Sequence, residues 1–376
     1  MSSLTDQHLD VATQAYDQLV SAFGRALFPR ASANLHDGAR LPQQLMLGIA
    51  GYQVRIRSTS RLLHDRLCHP LAHLEIASEA ISPSFTIDFI DGTGLDDVPI
   101  ALPAAAQRSS PEQETQEYQS GPYLFTVHGD SVLTALNQAA NHTVAIVRNP
   151  ASWPVEHYQQ AIFISLYQHL LHRGLYLIHA SAIGLNGQVI LFSAKSGAGK
   201  TTTMLTCVQA GFQFYSDDAT LLRQSVNGQI EIVSLLGTMN VTKTTLEWFP
   251  ELAPHASEVA NRTGKRLVMI HDVFPHSMAL SGTVQAIIAP EITDQPRPSI
   301  TPLGKMTLLS ELLPFSLDLH DTSAARSHLD FLVEMLEHVP CYRLKLGRTT
   351  EGLPNLLEQL LTSHGESFAE YPSAAS

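Results

Sequence analysis

Residues 188–204 read QVILFSAKSGAGKTTTM: an apolar run, a glycine-rich turn, then a stretch suited to a helix. That order restricts the fold more than any other feature of the chain. Gly197 and Gly199 free the backbone to turn its N–H groups toward an anion, and a helix starting at Lys200 favours negative charge at its first turn. Segment 194–201, AKSGAGKT, fits Gly-x-x-x-x-Gly-Lys-Ser/Thr everywhere but the first position, where Ala194 stands. At positive φ an alanine there would cost about 1–2 kcal/mol, and at negative φ nothing. The expected ligand is ATP, with Ser196, Gly197, Ala198, Gly199, Lys200, Thr201 and Thr202 around its phosphates. Lys200 would reach the outer phosphates and the Thr201 hydroxyl would hold Mg2+. The alternative is a glycine turn that only joins a strand to a helix.

The preceding segment, LYLIHASAI (175–183), reads as a strand, and Asn186-Gly187 between it and QVILFSA is a strong two-residue hairpin signal. This turn pairs Leu185 with Gln188 and Ser181 with Phe192. Carried outward, the register sets His179 opposite Ala194, beside the entrance to the glycine turn. A one-residue slip would send the imidazole to the other face, where it would be an ordinary core histidine. After the helix at 200–210, the strand FQFYS ends in Asp217-Asp218. Ligands gather at the carboxyl ends of strands in open sheets, so one acid is expected on magnesium and the other toward an acceptor hydroxyl. Aspartates also end strands simply as turn formers. Further on, Lys265-Arg266 precede an apolar run and are suited to phosphate oxygens or an acidic acceptor, or else to solvent.

The 376 residues are 44% hydrophobic with 15% charged, enough for a substantial core and most simply two domains, 1–155 and 156–376. A net charge of −12 argues against a nucleic-acid partner, which needs clustered Lys and Arg. Three cysteines at unrelated spacings favour a reducing, cytoplasmic setting, and no window approaches the roughly 20 apolar residues of a membrane span. The N-terminal domain reads as α+β. An amphipathic helix is expected over 4–24, strands over 51–58, 84–92 and 122–132, a polar loop over 101–121 and a helix over 155–172. Strands at 284–290 and 341–347 and helices at 305–313, 323–338 and 351–363 complete the reading.

The His-bearing strand, hairpin, SGAGKT turn and Asp-Asp strand end together resemble the catalytic domain of the HPr kinase/phosphorylase family, densely from about 170 to 223. GKRLVM, VQAIIAP and CYRLKLG extend the likeness toward HPr-kinase-like peptide tailoring kinases, including lasso peptide kinases. The resemblance implies an α/β fold, with a P-loop kinase domain related to phosphoenolpyruvate carboxykinase. It also implies Asp217 as general base or acid toward a hydroxyl, held by His179, Asp218 with Thr201 on magnesium, and homo-oligomers. The acceptor it implies is a Ser/Thr-type hydroxyl of a peptide, such as the C-terminal serine of a lasso precursor. Where that family carries an Arg-Gly-Leu-Gly-type segment this chain has SLLGTMNV (234–241), and residues 1–150 differ from the N-terminal domain of HPr kinases. Kinases of HPr or of a small hydroxyl compound, and a nucleotide-gated peptide-binding module without transfer, are the competing functions.

Overall fold

The computed structural model describes residues 10–20, 43–77, 82–93, 107–108, 115–128, 132–195, 197–261, 263–316 and 322–362. Two compact units divide the chain, Met1–Leu170 and Leu171–Ser376, so the division falls at the end of the helix Val155–Leu171 rather than at its start. Among the described residues no helix is long and apolar enough to cross a membrane.

The first unit is built on helix α1 (10–20) and eight strands. These are β1 (Gln43–Ile49), β2 (Tyr52–Ser58), β3 (Phe85–Asp91), β4 (Gln107–Arg108), β5 (Thr115–Ser120), β6 (Tyr123–His128), β7 (Val132–Asn137) and β8 (His142–Val147), in the sheet order β1-β2-β3-β8-β7-β6-β5-β4. Helix α2 (Arg61–Cys68), capped by the Ser60 hydroxyl, packs on β1 and β2. On one face Ala12, Tyr16 and Leu19 of α1 meet Ile90, Val144 and Ile146. At helix α3 (Val155–Leu171), the His169 ring stacks on Phe85 at 4.2 Å and its Nε2 lies 2.9 Å from Thr143 Oγ1.

Part of the segment expected as a loop over 101–121 is strand: β5 pairs with β6 throughout and β4 pairs with β5. Tyr118, buried beside Phe125, is the sole apolar residue of TQEYQS, so alternation there has too little contrast to register in the sequence. The rest of that segment, and the ends of the helix expected over 4–24, lie outside the described residues.

In the second unit β9 (Tyr176–Ile178), β10 (Ser181–Leu185) and β11 (Gln188–Phe192) lead into helix α4 (Lys200–Gln209). Strands β12 (Gln213–Ser216), β13 (Thr220–Gln224) and β14 (Ile230–Val233) follow, then β15 (Thr238–Val241), helix α5 (Lys243–Trp248), β16 (Arg266–Met269) and helix α6 (Ile270–Val273). The chain continues through β17 (Ser281–Ile292), β18 (Ser299–Pro302), helices α7 (Lys305–Ser316) and α8 (Thr322–His338), β19 (Cys341–Leu346) and helix α9 (Leu353–Thr362). Strands β15 and β16 form a separate two-stranded sheet; the others make a mixed sheet of order β12-β10-β11-β17-β14-β13-β9, with β19 on β17 and β18 on β19.

Strand alternation sorts the core of this sheet. Ile183, Ile190 and Phe192 pack with Met204 and Leu357 from α4 and α9, whereas Ala182, Val189 and Leu191 share a cluster with Leu308 and Leu332 from α7 and α8. The β10–β11 hairpin holds the expected register, Leu185 with Gln188 and Ser181 with Phe192, around Asn186 (φ 51°) and Gly187 (φ 78°). The positive φ at both turn residues matches the right-handed twist of the strands. Strand β11 is antiparallel to β10 and parallel to β17, and β17 is antiparallel to β14, so the hairpin is an antiparallel lead-in to a mixed sheet.

Candidate functional site

The segment expected as one strand over 175–183 is two. It breaks at His179-Ala180, and the facing chain breaks at 217–219. Both paths keep one register across the gap, Ile178 facing Thr220 and Ala182 facing Ser216. Thr220 Oγ1 donates to Ala180 O at 2.7 Å and so holds the two breaks together. Ala219 N bonds to Asp217 O at 2.7 Å, a tight turn that drives Asp218 to φ 59°. An aspartate in the left-handed region is uncommon and persists where its surroundings fix it. Because of the break His179 leaves the hairpin ladder, and the expected pairing with Ala194 is not made.

At this junction Ser181 Oγ donates to Asp217 Oδ1 at 2.7 Å, and the Asn240 backbone N–H donates to Asp217 Oδ2 at 3.2 Å. Burial first, and then the Asp218 charge, pushes the Asp217 carboxyl up to about 7, opposed by Ser181, Asn240 and Lys200. His179 is held below its ordinary value, first by burial; it hydrogen-bonds to the Asp218 backbone, and its charge neighbours are Asp218, Lys200 and Lys265. The imidazole therefore serves Asp218, while the contacts that orient Asp217 come from Ser181 and β15.

Lys200 is nearly buried, and burial lowers the pKa of its ammonium while Asp218 and Asp217 raise it. Its Nζ donates to the carbonyls of Ala194 and, at 3.4 Å, Lys195, folding the lysine back over its own loop. Ala194 is not among the residues with positive φ, so the alanine at the head of the motif carries no strain. Gly197 (φ 86°) and Gly199 (φ 92°) do need the left-handed region, and Gly199 sits directly before the first turn of α4. Ser196 lies outside the described residues. Ala198 is part of the same turn; Thr201 and Thr202, in the first turn of α4, are partly exposed.

The basic pair divides. Lys265 is close enough to depress both His179 and Lys200, whereas Arg266 is spent on backbone, with Nε on Ser257 O and an Nη on Ala256 O at 3.0 Å. Arg266 thus anchors the 256–257 turn and its guanidinium is largely committed.

Among the described residues no hydrogen bond engages the Asp218 carboxylate or the Thr201 hydroxyl. Two adjacent acids beside a loop built for anions, with an uncommitted carboxylate and hydroxyl, are the hard oxygen donors that magnesium takes. The donor set fits that ion, which Asp218 and Thr201 would hold.

Sequence reasoning missed Ser181 and Asn240. The signal for Ser181 was present: it is a polar residue within an apolar strand and is fully buried. Asn240 contributes through its backbone, which no side-chain pattern reveals.

No family model and no curated protein matches the chain. Among solved structures it is similar to the HPr(Ser) kinase/phosphatase from Coxiella burnetii, at 12% identity and a TM-score of 0.26, over 50% of this chain and 95% of that one.

Proposed function

We propose that this protein is a magnesium-dependent kinase that moves the terminal phosphoryl group of ATP to a Ser/Thr-type hydroxyl, with a peptide as acceptor. The observation that carries the proposal is Asp217: a carboxyl raised to about 7, beside a second acid and the phosphate-loop lysine. A general base works best with a pKa near the ambient pH, and an acceptor hydroxyl needs such a base within hydrogen-bond reach. The acceptor oxygen attacks the terminal phosphorus as the bond to the β-phosphate oxygen breaks. Asp217 takes the hydroxyl proton, and ADP leaves. Lys200 turns from the Ala194 carbonyl to the transferred phosphoryl oxygens, and Lys265 adds positive charge on the same side. Asp218 and Thr201 would hold magnesium, which when bound would supply positive charge to the transferring phosphates.

A peptide acceptor is supported only by the family resemblance of the sequence, and within it the C-terminal serine of a lasso-type precursor is the first substrate to test. The experiment is incubation with ATP and magnesium of three acceptors: peptides ending in serine, HPr, and free serine. Products are read as phosphoserine by mass spectrometry. Phosphorylated peptide is the expected product. Phospho-HPr or O-phosphoserine would transfer the assignment to that acceptor. Firm ATP binding without transfer to any hydroxyl would overturn the kinase and leave a nucleotide-gated binding module.

A further inference from the structure

The nine-stranded sheet sets the two sides of the phosphate loop apart. Strand β11 delivers the loop; β10 and then β12, with its acids, lie on one side, and β17 and then β19 on the other. Strand β11 ends at Phe192, level with Ile288, whereas β17 continues to Ile292 and pairs it with Leu346 of β19. These two strands overrun the loop-bearing strand and rise beside the loop as a wall. By alternation Ile288 and Ile292 share a face, and Ile288 belongs to the core beneath α4 and α9, with Leu346 packed on it.

Ile292 caps that column and is 64% exposed. A Cβ on Gly199 would collide with Leu346 Cδ1 and lie 3.7 Å from Ile292 Cγ1, so this apolar pair borders the phosphate loop itself. Two side-chain donors of the following turn are already used: Thr293 Oγ1 bonds to Leu346 O at 2.9 Å, and Gln295 Nε2 bonds to Ser299 Oγ and Lys345 O, each at 3.0 Å. The wall presents apolar surface, with the exposed Asp294–Arg348 pair, 3.9 Å apart, at its edge.

A nucleotide whose terminal phosphate points to Asp217 and Asp218 must send its other end across the loop, toward β17 and β19. We propose that Ile292 and Leu346 form the platform on which the base of the nucleotide rests, and that the platform accepts adenine and guanine alike. This rests on the kinase reading of the site and adds its donor preference. A flat purine face gains by covering apolar side chains, whereas discrimination between purines needs hydrogen bonds to the base edge, and the Thr293 and Gln295 donors beside the pair are committed.

The test is calorimetric titration of the full chain, with magnesium, by ATP, GTP and inorganic tripolyphosphate, in the natural protein and in Ile292→Ser. Ile292 is exposed, so the substitution leaves the core intact, and an unchanged melting temperature checks it. The natural protein is expected to bind ATP and GTP within about tenfold of each other, and both more tightly than tripolyphosphate. Ile292→Ser should weaken ATP and GTP together by about tenfold and leave tripolyphosphate unchanged. Unchanged ATP affinity in the variant, equal losses for all three ligands, or a purine preference above about tenfold would overturn the platform. If the natural protein bound none of the three, the nucleotide site itself would fall.

Discussion

Ser181 Oγ reaches across from β10 to Oδ1 of Asp217 at 2.7 Å, with the serine fully buried. A hydroxyl that donates to a carboxylate stabilises its charged form, so this bond opposes the burial and the Asp218 charge that push Asp217 up. Ser181→Ala removes that support. The acidic limb of the pH–rate profile should move to higher pH by about half a unit to one unit, on a bond worth about 1 kcal/mol. Ser181→Thr keeps the hydroxyl and should restore most of the profile. A profile unmoved by Ser181→Ala would show that the serine only fills space.

Asp217→Asn keeps the shape and removes the base. Phosphoryl transfer should fall by about 10²–10⁴ while ATP affinity stays within a few-fold, read by turnover assays and calorimetry on the same preparation. The same substitution has a signature in stability. A carboxyl raised in the folded state stabilises the fold while protonated; that contribution is fully present below its unfolded value and is lost as pH rises through about 7. In the absence of nucleotide and metal, Asp217→Asn should melt higher than the natural protein at pH 8, by about 2–6 °C, with the gap closing toward pH 4.

Lys200 is buried and bonded to the Ala194 carbonyl within its own loop. Lys200→Ala deletes the cation that would move to the phosphates, so ATP affinity should fall by about 10–100-fold. Lys265→Ala, whose side chain influences the site only through its charge, should lower transfer by less, about tenfold. Arg266→Ala should instead lower the melting temperature, because its guanidinium holds the 256–257 carbonyls.

Much of the second unit was legible because its signals are local. Asn186-Gly187 specified the hairpin and its register, and the glycine turn between an apolar strand and a helix specified α4. The break at His179 was not legible, since HASAI carries no proline or glycine. What splits the strand is the facing turn at 217–219 and the bond from Thr220 to the Ala180 carbonyl, contacts made by residues about forty positions away. The oriented Asp217 was therefore half visible: the acid and its strand could be read, but not Ser181 as its partner. In the first unit α2 did carry a start signal, its Ser60 cap, whereas β5 hides its pairing in polar residues.

The last prediction concerns a residue whose burial no alternation rule anticipates. Asp88, in the middle of β3, is almost fully buried and accepts from Arg57 Nε at 2.7 Å and Nη at 2.6 Å, its direct register partner on β2. His142 Nε2 lies 2.8 Å from the same carboxylate, and its Nδ1 lies 2.6 Å from the Tyr16 hydroxyl on α1. The carboxylate thus ties two strands and a helix through one group. Its removal takes from the guanidinium and the imidazole the carboxylate they share. Breaking a buried pair costs about 3–5 kcal/mol, and because the Arg57 side chain keeps 30% of its exposure the lower end applies. Asp88→Ala should reduce the stability of the first unit by about 3 kcal/mol, whereas replacing both Asp88 and Arg57 by apolar residues should recover part of the loss. Trp153 fluorescence during urea unfolding, in a Trp248→Phe background, reads that transition; equal midpoints for Asp88→Ala and the natural protein would mean the cluster holds nothing together.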